Sequence, residues 1–340
     1  MPGPRLPPLG DLRAPPEDVA RWLFWVALRR AVDPSRPGSL RRLWPAWVVR
    51  HGAGGAQKVR MADEFRRIRG PDPDGIRRLV AEAYRVAWRV HLEELLLGRL
   101  EAGTVDLHLE VRGRERLDAA LARGRGVVLL SAHAGSFMLP IAWLSLRGYA
   151  YTQYAARGLP PEEVARAHPD VLPVNWWQAQ VRRVREEHED RLPASFLTAS
   201  TPVRELYRRL AHNEIVALAF DGRIGTRWLR TPLLGREALL SPGGYRLAEA
   251  TGAALVPLFC RTPPDRRSIA EVGEPLVPGG QGWRTLMQTF VSERADPFLR
   301  RHPEEYGTWL AHCRLRASID DHPLFVDCAT DDRWRRHEAL

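Results

Sequence analysis

A histidine in this sequence lies where general-base chemistry is commonly carried out, directly beyond a strand. The apolar run 126–130 predicts a buried strand, and His133 follows it, with Gly135 next to the histidine. An imidazole with its ordinary pKa of about 6.5 can remove a proton from a hydroxyl at neutral pH. Gly135 would let a substrate approach the backbone. The pattern therefore predicts a general base at the end of a sheet, with a hydrogen-bonded structural histidine as the alternative.

Ser136 lacks the surroundings of a hydrolase nucleophile. Such a serine lies in a Gly-x-Ser-x-Gly turn, whereas residues 134–138 read Ala-Gly-Ser-Phe-Met. The sequence also contains no glycine-rich phosphate loop, no nucleotide fingerprint and no metal-ligand cluster. We therefore expect no bound cofactor and no metal.

The elements that would position His133 alternate between strands and helices. Residues 17–100 show helical periodicity, with Asp74 placed to cap a helix over 76–90, and the period changes to two over 105–111. Beyond that point we predict strands at 105–111, 126–130, 215–220 and 253–259, and helices at 115–123, 139–147, 202–211, 245–251 and 283–294. The stretch around Trp176 is expected to be irregular, and 221–242 is expected to be a loop.

This alternation predicts an α/β fold, with a mixed, mainly parallel sheet flanked by helices and a helical N-terminal region. We divide the chain into a Pro-rich N-terminus (1–16), a helical region (17–104), an α/β domain (105–316) and a C-terminal tail (317–340).

The chain has 340 residues and a net charge of +10, which raises the possibility of nucleic-acid binding. Its basic residues are interleaved with acids, as in 182–187, and no recognition motif is present, so we expect no nucleic-acid partner. The three cysteines are few, widely spaced and odd in number, which indicates a reducing cytoplasmic compartment.

No apolar run approaches the roughly 20 residues that a membrane-spanning helix needs. Two aromatic segments with basic flanks, 22–30 and 40–50, have the composition of helices that lie in a headgroup layer. Packing against the domain is the alternative for the first segment. With the positive charge, these segments predict a protein bound peripherally to the membrane surface.

Four blocks resemble the lipid A biosynthesis (lauroyl/myristoyl) acyltransferase family of the lysophospholipid acyltransferase superfamily. They are the strand and His-x-Gly turn over 121–136, the strand ending in Asp221, the stretch from 231 to 257, and the closing Pro-Glu-x-aromatic segment over 300–314. The blocks occur in the family's order, and this order is the specific part of the resemblance.

The resemblance implies transfer of an acyl group from an acyl carrier protein or coenzyme A thioester to a hydroxyl of a glycolipid, lysolipid or similar acceptor, at the inner face of the cell membrane. It makes His133 the general base, with no acyl-enzyme intermediate. It places substrate-binding groups at Gly135, Ser136, Asp221, Arg223 and Arg236, the arginines being suited to phosphate.

The sequence departs from the family's His-x4-Asp/Glu motif, because Met138 stands where the acid is expected. A carboxylate there would hold the imidazole in the useful tautomer, which a thioether cannot do. Three explanations follow: another acid such as Asp221 or Glu237 approaches His133, the enzyme works with His133 alone, or catalysis has been lost. The last would make the chain a catalytically silent lipid-binding or scaffolding homologue.

Overall fold

The computed structural model describes Val19, Trp22, Leu23, Trp25, Val26 and residues 33–36, 55–155, 176–198, 200–223, 225, 227–319 and 323–340. Its helices are α1 Gly55–Arg69, α2 Pro73–Glu94, α3 Arg114–Leu121, α4 Leu139–Leu146, α5 Trp176–Glu189, α6 Arg204–Ala211, α7 Gly243–Thr251, α8 Trp283–Phe290, α9 Asp296–Arg301 and α10 Pro303–Ile319. Its strands are β1 Leu109–Arg112, β2 Val127–Ser131, β3 Tyr151–Tyr154, β4 Ser195–Leu197, β5 Ile215–Ala219, β6 Leu229–Leu233, β7 Arg236–Leu240, β8 Ala254–Arg261 and β9 Ser268–Val272.

Seven of these strands form one sheet in the order β1-β9-β8-β2-β5-β3-β4. The five strands from β8 to β4 run parallel, and β9 pairs antiparallel with β8 while β1 runs parallel to β9. The α/β class with a mixed, mainly parallel sheet is therefore confirmed. β5 lies between β2 and β3, so the strand order changes direction beside β2, where open α/β sheets bind their ligands.

The sheet separates two apolar cores. In β2, Val128 and Leu130 belong to the core under α1, α7, α8 and α10, whereas Val127 and Leu129 belong to the core under α3, α4 and α5. Side chains along a strand point alternately to its two faces, and a strand buried on both faces reads as a continuous apolar run. The run at 126–130 is such a strand.

Two local expectations were wrong, one in the helical N-terminal region and one at the start of the α/β region. Asp72, not Asp74, caps α2: its carboxylate accepts a hydrogen bond from the Gly75 amide, and Pro73 occupies the first turn. The alternating stretch 105–111 begins with a 3₁₀ turn, Val105–Leu107, and only Leu109–Arg112 pairs as a strand. The turn forms because the Leu107 amide bonds to the Thr104 carbonyl.

The expected loop over 221–242 contains the antiparallel hairpin of β6 and β7. Its two turn residues, Leu234 and Gly235, have φ angles of 54° and 77°. Hairpin turns of this kind normally carry Asn or Gly at the first position, so a leucine there does not indicate a hairpin in the sequence. The C-terminal residues pack on the hairpin, where Leu340 donates its amide to the Arg230 carbonyl.

The stretch around Trp176, expected to be irregular, belongs to α5. Trp22 packs edge-on against Trp177, and Trp25 is buried beside His188, so these N-terminal aromatic residues contact the domain. Residues 40–50 lie outside the described part of the chain. None of the described helices is both long and apolar enough to cross a bilayer. The division of the chain into four segments stays a prediction.

Candidate functional site

The register of β2 and β5 brings His133 and Asp221 together. Ser131, the last residue of β2, pairs with Ala219, the last residue of β5, and each strand continues two residues to one member of the pair. Parallel strands that end in register deliver residues at the same offset to the same edge of the sheet. The two residues therefore meet although they are 88 positions apart.

Asp221 holds His133 through both carboxylate oxygens. Oδ1 lies 2.8 Å from the His133 Nδ1 atom, and Oδ2 accepts the His133 backbone N–H at 3.0 Å. The Asp221 side chain is fully buried, whereas the His133 side chain keeps 23% of its surface exposed. A carboxylate on Nδ1 fixes the proton there and leaves Nε2 as the basic nitrogen.

Two buried tyrosines lie near the Asp221 carboxylate. Burial raises the pKa of the Tyr245 and Tyr306 hydroxyls well above the ordinary value, and the charge of Asp221 raises the pKa of both further. Both phenols therefore remain neutral at physiological pH.

Aromatic rings fix the plane of the His133 imidazole. The Trp309 ring of α10 stacks on it with 3.7 Å between ring centroids and 13° between planes. Phe137 meets it edge-on at 5.3 Å. Stacked and edge-on rings restrict rotation of the imidazole about its side-chain bonds.

Gly135 allows the His-x-Gly turn to pack tightly against its own protein. Its φ angle is +55°, and a Cβ atom there would lie 2.7 Å from the Cys260 carbonyl oxygen and 2.9 Å from Glu305 Oε2. The Gly135 amide donates to the Glu305 carbonyl. The space beside Gly135 is thus occupied by β8 and α10, and the structure gives it a packing role.

Glu305, which lies beneath this turn, is a buried carboxyl group with an incompletely hydrogen-bonded side chain. Its Oε1 atom accepts the Thr262 amide at 2.6 Å, and its buried Oε2 atom has no hydrogen-bond partner in the described structure. Burial raises the pKa of Glu305 to about 7, an effect that Glu304 adds to and that Thr262 and Arg85 oppose.

Ser136 turns away from His133 into a buried polar cluster. Its hydroxyl donates to the Glu93 carboxylate of α2, which also accepts the Ser268 hydroxyl at 2.9 Å and Arg89 Nε at 2.5 Å. Arg89 and Glu93 are both buried. This cluster ties the turn that carries His133 to α2 and to β9.

Arg223 and Arg236 differ in their relation to the site. Arg223 follows Asp221 closely, lines the cavity described below, and donates to the carbonyls of Leu239 and Pro323 at 2.6 and 2.5 Å. Burial lowers its pKa to about 10, so it stays charged at neutral pH.

Arg236 lies on β7 and is not among the residues that line the cavity. It pairs instead with the buried Glu64 and with Asp327 at 2.5 Å. Glu237, the second acid considered as a partner for His133, pairs with Arg230 at 3.3 Å on the same hairpin. The structure therefore brings His133 and Asp221 together and leaves Arg236 and Glu237 apart from them.

A cavity of about 1180 Å³ opens beside the His133 ring. Its wall combines apolar side chains with four arginines and two acids: Arg223, Arg227, Arg246, Arg316, Glu189 and Glu249. Met138, the residue in the place of the motif acid, is part of this wall. The cavity exceeds the roughly 300–1,000 Å³ typical of small-molecule sites.

The described residues include no cluster of three or more metal-ligating side chains. Cys260 and Cys313 are buried free thiols, and burial raises the pKa of both, which keeps them protonated. Sequence patterns did not indicate that Trp309 and Glu93 are neighbours of the His133 turn. Trp309 lies in the closing sequence block, and Glu93 lies beyond the helix predicted over 76–90.

The mixed, mainly parallel sheet with a cavity at one edge makes the molecule an open-sheet α/β protein whose site lies at the sheet edge. A family model for bacterial lipid A biosynthesis acyltransferases matches residues 71–316, and the chain belongs to that family. Its relatives transfer acyl groups.

Two curated relatives carry the same name. A phosphatidylinositol mannoside acyltransferase of Mycolicibacterium smegmatis is 25% identical over 253 residues, which cover 73% of this chain and 71% of the relative. A phosphatidylinositol mannoside acyltransferase of Mycobacterium tuberculosis is 29% identical over 154 residues, 44% of this chain and 43% of that protein.

Proposed function

We propose that this protein transfers an acyl group from a coenzyme A or acyl carrier protein thioester to a hydroxyl of a glycolipid. Family membership supports acyl transfer, and the names of the two relatives support a glycolipid acceptor. A single observation supports the proposal of an active site above all others: the 2.8 Å contact between His133 Nδ1 and the buried Asp221 carboxylate.

In this proposal Nε2 of His133 is the general base. It takes the proton of the acceptor hydroxyl as the oxygen attacks the thioester carbonyl carbon. The tetrahedral intermediate then collapses: the C–S bond breaks, the sulfur leaves, and the imidazolium returns the proton to the departing thiolate. The products are an ester and a free thiol, and the enzyme forms no covalent intermediate.

Asp221 takes the role that the motif acid would have. Its carboxylate keeps the proton on Nδ1 and stabilises the imidazolium that forms during the reaction, as a buried aspartate does in a serine-hydrolase triad. This arrangement makes an acid at position 138 unnecessary. It supports an active enzyme over a catalytically silent homologue, which was suggested only by the loss of that acid.

The arginines in the cavity wall support anionic substrates. Arg227 and Arg246 line the cavity, and a guanidinium binds phosphate through two parallel hydrogen bonds. The thioester donors and a phosphoinositide-type acceptor all carry phosphate. We also propose that the protein works at the inner face of the cell membrane, where a net charge of +10 would favour anionic lipid.

The test is acyl transfer by the purified protein. The donor is palmitoyl-CoA or palmitoyl-loaded acyl carrier protein, and the acceptor is phosphatidylinositol mannoside. His133→Ala should reduce product to background, while His212→Ala, which changes an exposed histidine at the end of α6, should retain wild-type turnover. Equal turnover by His133→Ala and wild type would exclude His133 as the base. Absence of acyl transfer with every donor and acceptor would contradict the proposed function.

A further inference from the structure

Ser136 carries the second polar side chain of the turn 132–138, besides His133 itself. The residue is only 1% exposed. His133 and Phe137 line the cavity on either side of it in the chain, whereas Ser136 is not among the described residues of the cavity wall. In this structure the hydroxyl therefore reaches the reacting groups only through the residues that it holds.

The Ser136 hydroxyl is bound to an ion pair inside the protein. It donates to the carboxylate of Glu93, which also accepts Arg89 Nε at 2.5 Å and the Ser268 hydroxyl at 2.9 Å. The side chains of Arg89 and Glu93 are 8% and 2% exposed. Hydrogen bonds to an ionised acceptor are shorter and stronger than those between neutral groups. The turn is thus fastened to α2, a helix outside the sheet.

This bond fixes the part of the turn that contacts the imidazole. Phe137, the next residue, meets the His133 ring edge-on at 5.3 Å. The Ser136 carbonyl accepts the amide of Leu139, the first residue of α4, at 3.1 Å. A shift of Ser136 would therefore move the Phe137 ring against the imidazole.

The preceding residue of the turn is held from the opposite side by α10. The Gly135 amide donates to the Glu305 carbonyl at 3.0 Å, and Glu305 lies one helical turn before Trp309, whose ring stacks on the imidazole. The Thr262 hydroxyl lies 3.5 Å from Ser136 Oγ, and the Thr262 amide donates to Glu305 Oε1 at 2.6 Å. Both rings that contact the imidazole thus follow closely on a fixed residue.

We propose that Ser136, held by Glu93, is a positioning residue for His133 and keeps the imidazole in line with Asp221 and with the acceptor hydroxyl. A misplacement of about 1 Å in a reacting group can lower a rate about 100-fold. The proposal rests on the proposed function, since it takes His133 as the general base. It gives Ser136 a role through the histidine in place of contact with substrate.

The experiment compares Ser136→Ala with Ser268→Ala. Each change removes one hydroxyl donor from the same buried Glu93 carboxylate, but only Ser136 lies on the turn. Both variants should lower the thermal unfolding midpoint by a similar amount. Ser136→Ala should also lower kcat about 10-fold with KM unchanged, because the base is displaced while the cavity wall is retained. Ser268→Ala should keep kcat within about twofold of wild type.

A second measurement follows the imidazole without any turnover. The proton on His133 Nδ1, held 2.8 Å from Asp221, is observed as a low-field signal in the NMR spectrum of histidine-labelled protein and assigned by its loss in His133→Ala. The signal should persist in Ser268→Ala and be broadened or lost in Ser136→Ala. A structural role of the hydroxyl alone would leave it unchanged in both.

Ser136→Cys keeps nearly the same volume with a weaker donor, so its kcat should lie between those of wild type and Ser136→Ala. This variant also keeps the comparison with Ser268→Ala decisive if Ser136→Ala does not fold. Ser136→Thr retains the hydroxyl and should recover most of the lost kcat.

Equal loss of kcat in Ser136→Ala and Ser268→Ala, with the low-field signal retained in both, would overturn the positioning role. An increased KM with unchanged kcat in Ser136→Ala would indicate contact with substrate and would overturn it as well. Absence of product from the wild type with every donor would contradict the proposed function. In that event the NMR comparison still decides whether Ser136 positions the imidazole, since it requires no substrate.

Discussion

Asp221 contacts His133 twice, through the ring at Nδ1 and through the backbone N–H, at 2.8 and 3.0 Å. The carboxylate thus fixes both the tautomer of the imidazole and the position of its main chain. The family's motif has an acid at the position of Met138, five residues after the histidine. In this chain the carboxylate on the histidine belongs instead to Asp221, which follows β5, the strand next to β2.

Asp221→Asn should reduce kcat about 10⁴-fold, because an amide at this position can hold the imidazole with the wrong nitrogen protonated. KM should change little, since Asp221 is fully buried and does not line the cavity. The measurement is steady-state acyl transfer, with Asp265→Asn at an exposed position as the control. A kcat within tenfold of wild type would exclude Asp221 as the partner of the base.

Trp309→Leu should lower kcat by about 3- to 10-fold, the equivalent of roughly 0.5–1.5 kcal/mol for an aromatic contact of this geometry. The reason is the 3.7 Å stack, which keeps the imidazole plane fixed. Trp309→Phe retains an aromatic face and should recover most of the loss. If the two variants are equally impaired in kcat, the stack does not position His133.

Gly135→Ala should destabilise the fold more than Gly148→Ala. Both glycines have positive φ angles, but only at Gly135 would the added Cβ atom meet a backbone carbonyl oxygen, at 2.7 Å. The backbone conformation alone costs about 1–2 kcal/mol for a residue with a Cβ. The clash at position 135 adds about 1–3 kcal/mol. Thermal unfolding midpoints of the two variants give the comparison, and equal midpoints would contradict it.

Glu305 should make stability depend on pH between its unfolded and folded pKa values. Burial raises its pKa from 4.5 to about 7, so the folded state binds its proton more tightly than the unfolded state does. Its contribution to stability is therefore fully present below pH 4.5 and is lost as the pH rises to about 7, by roughly 3 kcal/mol in total.

Glu305→Gln keeps the neutral form at every pH. Its stability relative to wild type should therefore increase from pH 4.5 to 7 and stay constant above 7. Denaturant unfolding across this range is the measurement, with the exposed Glu115→Gln as the control. A difference that does not vary with pH would show that the pKa of Glu305 is not raised in the folded state.

Arg236→Met should lower stability without affecting KM. The change leaves Glu64 buried without its partner on β7, and breaking a buried ion pair costs about 3–5 kcal/mol. Arg314 still faces Glu64 at 3.4 Å and should reduce this loss. Thermal unfolding and steady-state kinetics separate the two effects. An increased KM with unchanged stability would instead indicate substrate binding by Arg236.

The buried strands were readily predicted because each is a short apolar run between turn residues. β2, β5 and β8 all appeared within two residues of their observed bounds. The hairpin of β6 and β7 was not predicted, because Leu234 occupies the first turn position, where Asn or Gly would normally indicate a hairpin. β3 and β4 are only four and three residues long, too short for a clear period.

The candidate site was predictable in its residues more than in its geometry. His133 followed from its position beyond an apolar strand, and Asp221 was one of two acids considered as its partner. Deciding between Asp221 and Glu237 requires the order of strands in the sheet, which a single sequence does not contain. Stacking by Trp309 depends on how α10 crosses the edge of the sheet and is equally a property of the tertiary fold.

The insertion of β5 between β2 and β3 links the assembly of the His133–Asp221 pair to the completion of folding. β2 and β3 precede β5 in the chain, so a folding intermediate in which β5 has not yet docked contains His133 but no carboxylate on its ring. Pairing across such a separation forms late, after the cost of loop closure is met. Acyl transfer should therefore return only in the last phase of refolding, after the signal for helix formation has recovered.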